Sequence, residues 1–459
     1  MKVLIHGLGL HGGGTAAARY FAQRGCTVRI TDLRDADCLK PSIDTLTAFP
    51  DITWSLGGHK EKDFTWADLV IKGPSVPWNS PYLKLSSRIE TDISWLLQHS
   101  QRELIVITGT KGKSTTAQLI YSMLLLHDSS ASLGGNVGVS GFSLLEEGKE
   151  GPLVLELSSW QLRDLENLQV PYAPRLTVIT SIYPDHLDAY GEFSSYLEDK
   201  ALAVQASGTG MCILDSSCFA YKEITDTIPS HGDLYVIGNH AGCRSAACTQ
   251  GELSWAVLLA GTLLLDIPAS LVTGMHTHCR NIIASVLAAH LLGISASCIL
   301  EGLASWKPLP HRMEFLEPVD GITCINVSAS TILESTVQAL DHCEGIVHLI
   351  LGGSDKHVPL SSLPIITNRC ASIHLLEGNF SRRLLAHCYT HDIPCSGPFA
   401  QMEDAVTSAF ACAEAGSTVL LSPGSASFGS FANAYERGER FREAVERLRA
   451  EKRRSSSMR

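Results

Sequence analysis

Thr108-Gly109-Thr110-Lys111-Gly112-Lys113-Ser114-Thr115 follows the apolar run that starts at Glu103 and opens a stretch of good helix formers. A strand that turns through glycines into a helix points backbone N–H groups at the positive helix end, which makes a cradle for phosphate. In such a cradle Lys113 is placed to neutralise β- and γ-phosphates, and Ser114 to hold Mg²⁺. The loop is not a standard Walker A, because Ile107 stands where the first glycine of that motif would be and the spacing is G-x-x-G-K-S. The strand–loop–helix context still predicts an α/β domain with a largely parallel sheet.

Outward from the loop, short apolar runs alternate with helical patterns along the whole chain. Before it, strands are expected at Lys2–His6, Thr27–Thr31 and Leu69–Lys72, in a block that fades near Thr91. After it, they are expected at Leu153–Leu157, Leu176–Ser181 and Met211–Leu214. Lys307-Pro308-Leu309-Pro310 reads as a linker, and beyond it lie Ile322–Asn326, Val347–Leu351, Ser372–Leu376 and Val419–Ser422. A chain of 459 residues exceeds one ordinary core, and three α/β domains are expected, over residues 1–93, 94–307 and 308–459.

Composition narrows the partners. A net charge of −11 argues against nucleic-acid binding by bulk electrostatics, so an anionic substrate needs local devices. The 14 cysteines are scattered without a C-x-x-C, which speaks against zinc or a disulfide framework and for thiols in a reducing compartment. Val3–Ile5 runs into glycines rather than into a signal-peptide core. The most apolar stretch, Ala256–Leu265, is broken by Gly261 and stops at Asp266, too short to cross a bilayer. A cytoplasmic protein without stable membrane insertion is expected.

A second glycine loop, Gly7-Leu8-Gly9-Leu10-His11-Gly12, also joins a strand to a helix, and Asp32 ends the next expected strand. Such an acidic group, about 20 residues on, can reach a ribose hydroxyl. Alone, this loop suits a nicotinamide-dependent dehydrogenase as well as any other nucleotide binder.

The shortened phosphate loop resembles that of the Mur ligases and their folylpolyglutamate synthetase relatives, and further motifs follow in that family's order. Gly135-Asn136-Val137-Gly138 is similar to G-N-x-G, and Glu156-Leu157-Ser158-Ser159-Trp160-Gln161-Leu162 resembles E-L-S-S-F-Q-L of the D-glutamate-adding branch, with Trp for Phe. Tyr183-Pro184-Asp185-His186-Leu187-Asp188 resembles D-H-[LM]-[DN]. Pattern alone makes Lys200 an exposed helix lysine; the resemblance makes it the lysine that is carbamylated into an anionic metal ligand. Leu309-Pro310-His311-Arg312-Met313-Glu314, Gly352-Gly353-Ser354-Asp355-Lys356 and Leu421-Ser422-Pro423-Gly424-Ser425-Ala426-Ser427-Phe428 resemble L-P-H-R-x-E, G-G-x-x-K and L-S-P-A-x-A-S, and Asn433 with Glu436-Arg437-Gly438 resembles N-x-x-x-R-G.

The resemblance implies a Rossmann-like N-terminal domain, a central P-loop-type ATPase domain and a Rossmann-like C-terminal domain. It implies a ligase that joins glutamate to UDP-N-acetylmuramoyl-L-alanine with ATP and Mg²⁺, through an acyl phosphate, as a monomer. ATP would meet Gly109, Thr110, Lys111, Gly112, Lys113, Ser114, Thr115 and Arg312. Ser114, Glu156, His186 and carbamylated Lys200 would hold magnesium, and Lys113, Glu156, His186 and Lys200 would carry catalysis. The UDP-substrate would meet Gly7, Leu8, Gly9 and Leu10 at its pyrophosphate, Asp32 and Arg34 near uracil, and Asn136, Ser158 and Gln161 further along. Thr331, Lys356, Ser427 and Phe428 would surround the incoming glutamate, whose D or L form the sequence leaves open.

Departures fall on the nucleotide side. In Asn326-Val327-Ser328-Ala329-Ser330-Thr331, compared with N-D-S-K-A-T, Val327 replaces the ribose-binding Asp and Ala329 the Lys. In Arg280-Asn281-Ile282-Ile283-Ala284, compared with H-N-x-x-N, Arg280 replaces His and Ala284 the last Asn. Two alternatives therefore stand beside the glutamate ligase: a non-catalytic or altered-specificity relative, and the dehydrogenase, which leaves Lys113, Glu156, His186 and Lys200 unexplained.

Overall fold

The computed structural model describes all residues except 11, 137–138, 209, 229–232, 239–243, 251–253, 274, 276–278, 308–309, 344, 356–359, 391–392, 428–430, 432 and 458–459. The chain divides into two compact units: Met1–Ile182 with Leu197–Ala269 and Cys279–Trp306, and Tyr183–Tyr196 with Ser270–His278 and Lys307–Arg459. The first unit holds two sheets and the second holds one.

The first sheet has β1 (Lys2–His6), β2 (Thr27–Asp32), β3 (Thr53–Leu56), β4 (Leu69–Lys72) and β5 (Ile89–Glu90), in the order β3-β2-β1-β4-β5. All its pairings are parallel. Val3, Leu4 and Ile5 are all buried, as an unbroken apolar run requires when both faces of a strand are covered. The chain leaves β1 toward β2 on one side and returns to β4 on the other, so the loop after β1 lies at the switch point where open α/β sheets bind ligands.

The second sheet comprises β6 (Leu104–Thr108), β7 (Ser132–Gly135), β8 (Leu153–Glu156), β9 (Leu176–Ile179), β10 (Met211–Asp215), β11 (Leu234–Ile237), β12 (Arg244–Gln250), β13 (Ser254–Leu259) and β14 (Thr262–Pro268). Its order is β14-β13-β12-β11-β10-β9-β6-β8-β7, parallel from β7 to β12 and antiparallel over the last two pairs. Here β6 is the switch strand, flanked by β8 and β9. The apolar stretch Ala256–Leu265 lies within the β13–β14 hairpin, which turns at Ala260 (φ 50°) and Gly261 (φ 81°). A residue pair with positive φ closes the two-residue turn that fits the strand twist.

The second unit carries β15 (Glu314–Val319), β16 (Ile322–Asn326), β17 (Val347–Gly352), β18 (Cys370–Leu376), β19 (Cys395–Phe399) and β20 (Thr418–Leu421). The order is β15-β16-β20-β17-β18-β19, with only β15 antiparallel. Ile325, Leu349, Leu351, Ile373, Phe380 and Leu420 anchor one face of its core. Because β16, β20 and β17 are neighbours and parallel, the loops that leave their C-terminal ends open at one edge of this sheet. Among the described residues no helix is long and apolar enough to cross a membrane.

Within the first unit a buried ion pair links the two sheets. Lys72 Nζ at the end of β4 lies 3.0 Å from the Asp164 carboxylate in the helix after β8, and Trp78 Nε1 also donates to Asp164. Burial pushes the Asp164 carboxyl above its ordinary range, which Lys72 and Trp78 offset only in part.

Candidate active site

The phosphate loop runs from β6 into the helix Lys113–His127, whose N-cap is Gly112 with φ 87° and no side-chain cap. The positive end of this helix therefore faces the loop. Gly109 has φ 134°, and a Cβ there would overlap Thr180 Oγ1; one at Gly112 would overlap Asn281 Oδ1. Glycine is demanded at both positions by conformation and by close approach. Thr180 and Ser181, just past β9, hold the loop from the side: Ser181 Oγ accepts from Lys111 N at 3.0 Å and donates to Lys111 O at 2.9 Å. Thr110 N donates to Ser181 O at 2.7 Å. Lys113 Nζ donates to Thr110 O at 3.0 Å, and Ser114 and Thr115 are buried at the start of the helix.

At the same strand ends stands Glu156, the last residue of β8 and the register partner of Ile107 on β6. It is 0 % exposed; Oε1 accepts from Asn136 Nδ2 at 2.7 Å, and Oε2 has no hydrogen-bond partner among the described residues. An ionised carboxylate oxygen buried in this way is costly unless a cation or donor meets it. Lys200, in the helix Phe193–Ala206, is 1 % exposed rather than the exposed lysine that pattern alone suggests. Its Nζ donates to Thr108 Oγ1 at 2.9 Å, which in turn donates to Leu157 O at 2.7 Å. The structure thus gathers Lys113, Ser114, Asn136, Glu156 and Lys200 around the ends of β6, β8 and β9.

Ser158 and Gln161 are tied to each other before any ligand arrives. Gln161 N donates to Ser158 Oγ at 3.2 Å and Ser158 N to Gln161 Oε1 at 2.9 Å, a capping box for the helix Ser159–Asn167. The S-x-x-Q spacing carries that signal in the sequence. His186 belongs to the second unit, where it adopts φ 58° and caps the short helix Leu187–Tyr190. Its N–H donates to Asp185 Oδ1 at 2.9 Å, which secures this backbone turn.

The first glycine loop ends on Gly12, with φ 87°, at the start of the helix Gly13–Gln23, again without a side-chain cap. Leu8 is buried and Leu10 is exposed. Asp32, at the end of β2, accepts from Gly9 N at 3.2 Å and from Arg34 N at 3.0 Å, with Arg34 Nε at 3.3 Å. Burial works to raise the Asp32 pKa, but these amides and the Arg34 guanidinium outweigh it and hold the carboxyl below its ordinary value. Beside it His6 Nε2 meets His59 Nε2 at 3.3 Å, and His59 Nδ1 meets Thr31 Oγ1 at 2.8 Å. Burial first, then the neighbouring His59 and Lys72, lowers the His6 pKa to about 4.

In the second unit the three loops after β16, β17 and β20 are knitted together. Ser354 and Ala426 exchange backbone hydrogen bonds at 3.0 and 3.1 Å, and Ser425 Oγ donates to Gly352 O at 2.7 Å. Arg437, 0 % exposed, donates to Ser328 Oγ at 3.1 Å, Ser328 O at 2.8 Å, Ala426 O at 3.2 Å and Ser425 O at 3.1 Å. Burial lowers its pKa to about 9, so it stays charged at neutral pH. Its place in N-x-x-x-R-G is the only sign of this role that the sequence carries. Ser427 is buried on this frame, and Thr331 and Arg312 are half-buried in the same unit. Lys356 and Phe428 lie outside the described residues. Of the departures, Val327 packs into the apolar core and Ala284 is buried in the helix Cys279–Leu291.

The comparisons agree with this architecture. Residues 1–94 match the MurD-like N-terminal domain of the Mur ligases, and residues 107–241 match the Mur ligase middle domain. The chain is 34% identical over 458 residues to UDP-N-acetylmuramoylalanine–D-glutamate ligase of Borreliella afzelii, with 98% of both chains covered. It is 33% identical over 461 residues to the ligase of the same name from Roseiflexus sp., covering 97% of this chain and 98% of that one. In fold it is similar to the UDP-N-acetylmuramate-alanine ligase of Thermotoga maritima, with a TM-score of 0.64 at 15% identity over 97% of this chain and 99% of that chain. The chain belongs to the Mur ligase family, a family of ATP-dependent acid–amino-acid ligases, and the dehydrogenase reading of the first loop gives way.

Proposed function

We propose that this chain adds D-glutamate to UDP-N-acetylmuramoyl-L-alanine at the expense of ATP, in the cytoplasmic synthesis of peptidoglycan precursors. Full-length relatives that carry this name favour D- over L-glutamate. The observation in the fold that carries the reading is Glu156: a fully buried carboxylate with one oxygen unmet among the described residues, at the strand ends where the phosphate loop opens.

That unmet oxygen fits a divalent cation. Ser114, Glu156 and Lys200, once carbamylated, would hold Mg²⁺, which would supply charge cancellation between the phosphates and the attacking carboxylate. The rest falls to the chain's own groups. The loop amides and Lys113 bind the β- and γ-phosphates, Arg312 the nucleotide, and the first loop with Asp32 and Arg34 the uridine diphosphate. The alanyl carboxylate attacks the γ-phosphorus, ADP leaves, and an acyl phosphate forms. The glutamate amine, placed by Thr331, Lys356, Ser427 and Phe428, attacks the acyl carbon; it loses a proton, inorganic phosphate leaves, and an amide results. Positioning and electrostatics supply most of the catalysis.

The test is product analysis with ATP, Mg²⁺ and UDP-N-acetylmuramoyl-L-alanine, with each glutamate isomer in turn. A product heavier by one glutamyl residue, with D-glutamate alone and one phosphate per amide, is the expected result. Bound substrates without turnover would favour the non-catalytic relative, and product with L-glutamate the altered-specificity one.

A further inference from the structure

Arg280 replaces the histidine of the family motif, and the structure gives this arginine a specific anchor. It opens the helix Cys279–Leu291, and its Nη1 pairs with Asp215 Oδ2 at the end of β10. Asp215 is buried, and its other oxygen accepts from Ser217 N at 2.9 Å and Ser217 Oγ at 2.6 Å, so the carboxylate is fixed from both sides. The next residue, Asn281, has its Oδ1 beside Gly112, where a Cβ would overlap it. Ser285, one turn on, donates to Asn281 O at 2.7 Å and lies 3.5 Å from Thr116 O in the phosphate-loop helix. Ala284, Ser285 and Ala288 are buried, small residues that allow two helices to approach closely.

These contacts form one chain: Asp215 holds Arg280 near the start of its helix, and Asn281, the next residue, lies against the phosphate loop at Gly112. Thr180 and Ser181, after β9, grip the same loop from the neighbouring strand end. We infer that Arg280, through Asp215, is a positioning residue that sets how tightly the phosphate loop holds ATP. This rests on the ligase reading above. Arg280 touches no reacting atom in this account. Its planar, permanently charged guanidinium holds a buried carboxylate that a neutral histidine would hold less firmly.

The experiment measures binding of a fluorescent ATP analogue, the KM for ATP, kcat, UDP-substrate binding and thermal melting for Arg280→Ala, Arg280→Lys, Asp215→Asn and the double variant Arg280→Ala/Asp215→Asn. Arg280→Ala should weaken the analogue and raise the KM for ATP about tenfold, with kcat lowered less than about threefold and UDP-substrate binding within about twofold of the parent. Arg280→Lys should recover part of the loss. Asp215→Asn should match Arg280→Ala, and the double variant should be little worse than either, because both break one linkage. The inference is overturned if Arg280→Ala keeps parental ATP affinity. It is equally overturned if both ligands weaken in proportion to a fall in melting temperature, the mark of a merely structural residue. Failure of the parent protein to bind the analogue at all would instead overturn the ligase reading, and this inference with it.

Discussion

The two glycine loops of the first unit end on the same backbone turn and differ in their chemistry. Each follows the switch strand of its sheet, and each ends on a glycine N-cap with φ 87° and ψ near −16°, at −18° for Gly12 and −14° for Gly112. Neither helix start has a side-chain cap, and each turns the positive end of its helix toward the loop. What differs is the company. The phosphate loop has Lys113 within it and Lys200 and Glu156 at its base, whereas the first loop has Asp32 across its mouth and commits Lys72 to Asp164. The last strand residue makes the same contrast: Thr108 receives Lys200, while His6 meets His59. On the proposed reading, a similar turn serves ATP in one loop and a diphosphate sugar in the other according to the side chains that surround it.

The comparison breaks most visibly at Lys113. Lys113→Ala should lower ATP-dependent phosphate release about a thousandfold, read by coupled assay, while UDP-substrate binding stays within about twofold of the parent. Equal loss of both would mean that the loops do not divide the ligands. At Glu156, replacement by Gln keeps the shape and removes the charge. A fall of about a hundredfold in kcat is expected, with more Mg²⁺ needed for half-maximal rate, and an unchanged Mg²⁺ requirement would contradict its role as ligand. The first loop answers to Asp32: Asp32→Ala should raise the KM for the UDP-substrate about tenfold and leave that for ATP in place.

Stability sharpens the contrast further. Lys72→Met leaves Asp164 buried without its cation and should cost about 3–5 kcal/mol in denaturant unfolding, whereas Lys72→Met/Asp164→Leu should recover much of it. The smallest effect concerns pH. His6 titrates at about 4 in the fold against its ordinary 6.5, so only the unfolded chain takes up this proton between those values. Its contribution is full above pH 6.5 and is lost as pH falls toward 4, by up to about 3 kcal/mol. His6→Gln should flatten that part of the pH–stability curve, and Thr108→Val should not.

Much of this was legible in the sequence because both loops sit where local rules are strongest. Lys2–His6, Leu69–Lys72 and Ile322–Asn326 form strands over the expected residues, and the phosphate-loop helix starts at Lys113, because unbroken apolar runs and glycine punctuation leave few alternatives. The short strands β3, β5 and β7 carry two to four residues with little periodicity, and the β13–β14 hairpin turns on Ala260-Gly261, not on a usual turn pair. The burial of Lys200 was invisible to pattern, since a lysine in a helix is ordinarily solvated and only the tertiary fold brings Thr108 to it. The partnership of Arg280 with Asp215 spans 65 residues, beyond what spacing can reveal. Arg437 likewise stands in a motif, but its four loop contacts come from segments that β16 and β20 bring together.

The most direct test of the division between the loops is an equilibrium titration of the parent protein with UDP-N-acetylmuramoyl-L-alanine and a non-hydrolysable ATP analogue, each measured alone and in the presence of saturating amounts of the other. Both should bind at once, with neither displacing the other and with one site for each. Mutual displacement, or two equivalent sites for either ligand, would contradict that division.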